Sequence, residues 1–381
     1  MPPASNLDFA AYLREIRALV LADIRQRLPV QTDATRLYDL VLDYPLRAAK
    51  ALRPALCVAT CRALGGSLAC ALPSATALEL YHNAFLIHDD IEDQSETRRG
   101  EPTLHLAHGV PMAVNVGDAM LALALEPLLE NTAVVGVGPA LLMLQTVAQM
   151  ARISAEGQAL ELEWMRDQEW TLTDADYLKM IEQKTAWYTF IAPVRLGALA
   201  ARQSQEKLEE LAEFARVLGL AFQIRDDWLN LAGQSADVGK EPLGDLWEGK
   251  RTLMLLHLMR NLPPPDAEKA RLILAKQRPG QQQHALVAEL EKLRQDQLIS
   301  QDAHARLRVH VEDAGAYKQE HEIAWLHAQM QALGSLAHVQ KVADELANQA
   351  EQRLAAMQWL EPSVHREFLA ELVKYAVSRA V

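Results

Sequence analysis

Apolar residues recur at every third or fourth position through most of this chain, and strict apolar–polar alternation is scarce. That spacing collects apolar side chains on one stripe of a helix, so it predicts helix after helix with few strands. Ala, Leu, Glu, Gln and Arg fill these segments, and all are good helix formers. Breaks are expected near Pro29, Pro45, Gly65–Gly66, Gly100–Pro102, Gly109–Pro111, Gly136–Pro139, Thr171–Asp174, Gly233–Gly244, Pro263–Pro265 and Pro279–Gly280. Thr173 or Asp174 suits the N-cap of a helix through Tyr177 and Met180. No fixed-period repeat and no long linker interrupts the pattern. A single all-α domain over residues 1–381 is therefore expected, with a core at about 40–265 and more polar outer helices at about 266–381.

Composition narrows the class. Half of the 381 residues are hydrophobic, enough to bury a large core. The net charge of −12 argues against a nucleic-acid partner. Three cysteines, Cys57, Cys61 and Cys70, lack His or Cys partners at zinc spacing and read as free thiols in a reducing compartment. The first segment carries charges at helical spacing and no signal-peptide core, which fits a cytoplasmic protein. The longest uncharged run, Asn131 to Ala151, contains Gly136, Gly138, Pro139, Gln145 and Gln149. It reads as a loop leading into a buried helix, and no membrane span is expected.

Two acidic clusters change the picture. Asp89, Asp90, Glu92 and Asp93 follow the apolar run LELYHNAFLI, with Arg98 and Arg99 close behind. Asp89 and Asp93 are four apart and share a helical face, where they repel unless a cation lies between them. Hard divalent ions such as Mg²⁺ take carboxylate oxygens and share them with phosphate, and an Arg pair suits diphosphate. The second cluster is Asp226 and Asp227 after LAEFARVLGLAFQI, with Asn230 four beyond Asp226. A lone acidic pair is more often a solvated helix end. Two pairs, each ending an apolar helix, suggest two walls of one metal–diphosphate site.

Four further features have a plain and a functional reading. Lys50 and Arg53 share a face ahead of an apolar helix, as a solvated pair or an anion grip. His82 lies two turns before Asp89, and a lone His on an apolar helix is more often a core residue. Lys184, followed by Thr185, is the last charge before an apolar run, snorkelling or reaching a phosphate. Lys240 and Lys250 sit in a long loop after the second cluster, as an ordinary charged turn or a lid over phosphates.

Taken together, HDDIEDQSETRRGEPTLH, FQIRDDWLN, Lys184–Thr185 and GK followed by DLWEGKRT resemble the trans-isoprenyl (polyprenyl) diphosphate synthase family from about Leu40 to near the C-terminus. The resemblance implies a bundle of long helices around a deep central pocket, the isoprenoid synthase type, usually as a homodimer. It implies Mg²⁺ on Asp89, Asp90 and Asp93 on one wall and on Asp226, Asp227 and Asn230 on the other. It assigns Arg98, Lys184 and Lys240 to the allylic diphosphate, and Lys50, Arg53, His82 and Arg99 to isopentenyl diphosphate. Gln223 and Thr185 would position the reacting groups. The chain departs from the pattern where Ala48-Ala49-Lys50-Ala51 replaces the usual Gly-Gly-Lys-Arg, where Asn230 replaces the last acid of the second motif, and where Gln158 and Glu161 stand in GQALEL in place of the common GQ followed by Asp.

The implied reaction breaks a carbon–oxygen bond to give an allylic cation and diphosphate, and isopentenyl diphosphate then attacks the cation. It needs no side-chain nucleophile. It does need cations where negative charge develops, and dry walls around the cation. One helical turn rises about 5.4 Å, close to one isoprene unit, so Tyr81, Ala84 and Phe85 below Asp89 are expected to set chain length. The small Ala84 beside the bulky Phe85 points to geranylgeranyl diphosphate, ahead of a farnesyl or longer product. A class I terpene cyclase is the first rival reading, but Gln234 and Val238 stand where its Asn-Ser-Glu triad would need Ser and Glu. A non-catalytic partner subunit is the second, and such subunits tend to lose one acidic cluster.

Overall fold

The computed structural model describes residues 7–29, 32–232, 243–313 and 315–378, and they are overwhelmingly helical. In order the elements begin with α1 (Phe9–Arg27), α2 (Thr35–Leu46), α3 (Leu52–Ala63) and α4 (Leu68–Glu92). A hairpin of β1 (Thr97–Arg98) and β2 (Glu101–Pro102) follows, the only strand pair among the described residues. Next come α5 (Leu104–His108), α6 (Val110–Leu123), α7 (Leu125–Val134), α8 (Val137–Arg166) and α9 (Asp174–Ile181). A π-helical segment, Glu182–Ile191, leads into α10 (Ala192–Ala200) and α11 (Gln205–Ala232). Then follow α12 (Gly244–Glu248), α13 (Leu253–Asn261), α14 (Pro264–Ala275), α15 (Gln281–Gln295), α16 (Gln301–Glu312) and α17 (Glu320–Ala332). The chain closes with α18 (Ser335–Ala356) and α19 (Val364–Ser378). The helix α2 runs through Pro45 to Leu46 before it ends, slightly past the expected break.

Where the sequence pattern suggests one domain, the backbone contacts separate into two compact units. The first takes in the described residues of Met1–Leu162, Ala175–Asp226 and Gln340–Ala380. Its axis is α4, which packs against α3, α6, α7 and α10. Ser67 caps α4 by accepting from the Cys70 amide, one of the orphan donors of a helix start. The helix then buries Ala71, Ala75, Leu78, Leu80, Ala84 and Ile87. Each large side chain of this kind contributes roughly 1.5–3 kcal/mol when fully buried. Close packing needs small residues: a Cβ on Gly197 of α10 would lie 2.4 Å from the Cys57 carbonyl oxygen of α3. The last helix contributes to this core, because α19 buries Phe368, Leu369, Leu372 and Ala376 in the same cluster as α1, α3 and α4.

The second unit comprises the described residues of Glu163–Asp174 and Asp227–Val339. Here Arg251 is 1% exposed, with its guanidinium 4.0 Å from the Trp170 ring centroid and donating to the Glu169 and Gly249 carbonyls. Burial pushes its pKa down to about 10. Lys318, also buried, donates to the Trp247 carbonyl at 2.6 Å, and burial lowers it to about 8.

Candidate active site

The acidic end of α4 is where the first unit gathers its charge. The helix stops at Asp93, whose amide donates to the Asp89 carbonyl at 2.8 Å. Carboxylates at a helix C-terminus oppose the macrodipole, so cations must hold them. The Nζ of Lys184 lies 3.6 Å from Asp89 and Nη2 of Arg98 lies 3.9 Å from it. Asp90 points the other way. Its side chain is 1% exposed and accepts from Tyr44 Oη at 2.6 Å and from the Arg98 guanidinium through two nitrogens. Burial by itself would lower the Arg98 pKa, but the Asp90 charge more than offsets that and holds it above its ordinary value. Burial likewise pushes the Tyr44 phenol up, with Asp90 adding to the rise. The expectation that Asp90 holds metal therefore meets a carboxylate already committed to a buried ion pair.

The hairpin aims the two arginines. Arg99 and Gly100 both have positive φ, 56° and 83°, as a two-residue type I′ turn requires. Arg98 then turns back onto Asp90, while Arg99 donates to the Tyr44 carbonyl at 3.0 Å. Arg47 clamps the hairpin by donating to the carbonyls of Arg98 at 3.0 Å and Pro102 at 2.8 Å.

Behind this end lies a group of basic side chains with neutral partners. Arg53 donates to Thr189 Oγ1 at 2.7 Å and lies 4.3 Å from the Tyr188 ring centroid. His82 lies near the same ring, centroids 6.1 Å apart, and its buried Nδ1 has no hydrogen-bond partner. Burial lowers the His82 pKa well below its ordinary value, and Arg53, Arg99 and Arg98 push the same way. Burial also lowers Arg99, with Glu79 opposing. Lys50 stands apart from these, donating to Tyr375 Oη on α19.

The π-helical segment delivers Lys184 and buries Thr185. Lys184 pairs with Glu161 of α8 as well as with Asp89. Gly157 makes this possible: a Cβ there would lie 2.3 Å from the Lys184 amide nitrogen, so only glycine lets α8 approach so closely. π winding inside an α-helical run is frequent at functional sites. Gln158 donates to Glu92 at 2.6 Å, tying α8 to the end of α4.

Gln223, Asp226, Asp227 and Asn230 all lie on α11, with Asp226 closing a segment of the first unit and Asp227 opening one of the second. The second unit gives Asn230 another task. Its Oδ1, which the resemblance offers to a metal, accepts from the Asp245 amide at 3.0 Å and so pins the start of α12. Lys250 pairs with Glu248 at 2.8 Å. Lys240 lies outside the described residues.

Below Asp89, Phe85 meets Tyr81 edge-on at 5.9 Å and Tyr188 at 5.5 Å, while Ala84 faces away and is fully buried. Sequence reasoning missed Tyr44, Glu161 as a Lys184 partner, Tyr188 and Tyr375. Glu161 carried a signal, in GQALEL where the family often shows GQ followed by Asp, and so did Tyr188, four residues beyond Lys184 in the segment already singled out.

The donor set fits Mg²⁺. Among the described residues no three acidic, His or Cys side chains converge as a self-sufficient metal cage. Mg²⁺ needs none, because it keeps waters and binds through one or two carboxylates plus substrate phosphates. Asp89, 28% exposed, and Asp93 supply such oxygens on one face.

The profile of the polyprenyl synthetase family matches residues 35–290. A short chain isoprenyl diphosphate synthase of Methanothermobacter thermautotrophicus is 35% identical over 262 residues, 69% of this chain and 77% of that one. The crystal structure of a geranylgeranyl pyrophosphate synthetase from Pyrococcus horikoshii superposes with a TM-score of 0.77 at 26% identity, covering 98% of this chain and 99% of that one. A polyprenyl synthase from Caulobacter crescentus, complexed with calcium and isoprenyl diphosphate, gives a TM-score of 0.74 at 29% identity over the whole of both chains.

Proposed function

This chain belongs to the polyprenyl synthetase family and is a prenyltransferase that elongates trans-prenyl chains, and from that premise we propose that its first unit joins an allylic diphosphate to isopentenyl diphosphate at the end of α4. The observation that carries this reading is the basic group of Arg53, His82, Arg98 and Arg99 beside the Asp89–Asp93 face. Arg53 and Arg99 spend their hydrogen bonds on a hydroxyl and a carbonyl, so positive charge is left over for an anion. Two diphosphates need both kinds of group, cations for direct contact and acids for shared metal.

In this reading Asp89 and Asp93 hold Mg²⁺ on one wall and Asp226 does so from α11, with Asp227 next to it in the chain. Bound there, Mg²⁺ would stabilise the charge that develops on the departing diphosphate. Lys184 then adds a direct cation at the leaving group, steered by Glu161 and Asp89. Lys50, Arg53, His82 and Arg99 hold isopentenyl diphosphate, and Asp90 serves by fixing Arg98. Thr185 and Gln223 orient the reacting carbons. The rings of Phe85, Tyr81 and Tyr188 keep water from the allylic cation and form the floor beneath the growing chain. The product assigned is geranylgeranyl diphosphate.

The partner assigned is a second copy of the chain. Leu125, Leu129, Val137, Leu141 and Leu142 of α7 and α8 are all exposed, an apolar face of the kind that a subunit interface covers. One stretch, Val110–Val134, is long and apolar enough to cross a membrane by length and composition, yet Ala113, Val116, Met120 and Leu123 are buried in the core. The reading takes it as a core helix pair of a cytoplasmic enzyme.

The test is elongation by variants of each cluster. Asp89→Ala and Asp226→Ala are each expected to lower turnover by roughly a hundredfold or more while the fold persists. Full activity in either variant would refute the two-wall arrangement.

A further inference from the structure

The last helix lies beyond the stretch that the family profile matches, and it reaches one of the assigned substrate ligands. α19 is fixed on α1 by aromatic rings. Phe9 stacks on Phe368 with centroids 4.9 Å apart, and Tyr12 lies 4.6 Å from the same ring. Tyr12 Oη is also 3.0 Å from Nδ1 of His365. Two turns beyond Phe368 the same helical face presents Tyr375, whose ring tilts against Phe9 at 5.3 Å. Its hydroxyl accepts from Lys50 Nζ, and that ammonium lies 5.0 Å from the ring centroid.

Lys50 needs such a partner. It is an exposed lysine on a four-carbon stem just ahead of α3, and the following Ala51 is held in the left-handed region at φ 49°. Holding a flexible lysine in place before the anion arrives removes part of the entropy lost on binding. A phenol does this without neutralising the charge, as a carboxylate would. We infer that Tyr375 is a positioning residue for isopentenyl diphosphate, orienting the Lys50 ammonium from a helix beyond the stretch that the family profile matches. The inference rests on the assignment of Lys50 to that substrate.

The experiment is steady-state kinetics with each substrate varied at saturating levels of the other, on Tyr375→Phe, Tyr375→Leu, Lys50→Ala and the double variant Lys50→Ala/Tyr375→Leu. Removing hydroxyl and ring together is expected to raise KM for isopentenyl diphosphate roughly tenfold, with KM for the allylic substrate and kcat within about twofold. Tyr375→Phe, which keeps the ring and the packing on Phe9, is expected to raise it by less. In the Lys50→Ala background the Tyr375→Leu change should add nothing. Equal effects of Tyr375→Leu with and without Lys50, or equal effects on both substrates, would overturn the inference while leaving the Lys50 assignment standing. An unchanged KM for isopentenyl diphosphate in Lys50→Ala would instead overturn that assignment, and the inference with it.

Discussion

Asp89 and Asp90 are neighbours with opposite tasks. Asp89 is open enough to share an ion, whereas Asp90 is shut in with Arg98 and Tyr44. Nothing in the letters DD separates them, because the distinction depends on a hairpin that folds Arg98 back across the helix end. Breaking a buried ion pair strands the other charge. Asp90→Asn should therefore cost about 3–5 kcal/mol of stability, measured by urea unfolding, beyond any effect on turnover. A loss below about 1 kcal/mol would mean that the pair holds nothing in place. His82 offers a pH test. Its pKa is lowered in the folded state, so above the ordinary value near 6.5 both states are neutral and the group contributes nothing to pH dependence. Below that value the unfolded chain takes up a proton that the folded one refuses, and stability falls as pH falls toward the folded pKa. The slope is at most about 1.4 kcal/mol per pH unit. Unfolding at pH 7.0 and 5.5 should show a smaller drop for His82→Gln than for the parent, and equal drops would contradict this.

At the scale of elements, the helices were legible because apolar spacing and Gly/Pro breaks are local signals. Thus α4 runs from its Ser67 cap into the acids as its pattern predicts, and α9 begins at Asp174. The π winding of Glu182–Ile191 was not legible. Its residues carry ordinary helical periodicity, and the winding is tied to a tertiary contact, Gly157 against the Lys184 backbone. The task of Asn230 was hidden for a similar reason, since its partner amide lies on α12, across a segment with no local pattern. The pitch of α4 sets which side chains lie beneath the acids. Phe85 lies one turn below Asp89 and meets Tyr188 edge-on. Removing the ring should let the product grow by about one turn of helix, roughly one isoprene unit. Phe85→Ala should accordingly make a longer product by chromatography. An unchanged length would show that the floor lies elsewhere, and the Tyr188 ring would be the next to remove.

At the scale of the molecule, the sequence pattern conveyed an all-helical bundle but not its division into two compact units, nor the return of α19 to the first core. Those depend on contacts between residues hundreds of positions apart, such as Tyr12 with His365. The exposed leucines of α7 and α8 make a prediction at this scale. Light scattering should give about twice the 42.4 kDa chain mass, and Leu129→Glu with Leu141→Glu should halve it. A parent protein that runs as a monomer would refute the assigned partner. Chain elongation requires two diphosphates to meet in one site. Purified protein should be supplied with Mg²⁺ and radiolabelled isopentenyl diphosphate, with dimethylallyl, geranyl and farnesyl diphosphates as primers in turn. The predicted result is label in a linear prenyl diphosphate of geranylgeranyl length, formed only when both substrates are present. Consumption of the allylic diphosphate alone to a cyclic hydrocarbon, with no label incorporated, would contradict it.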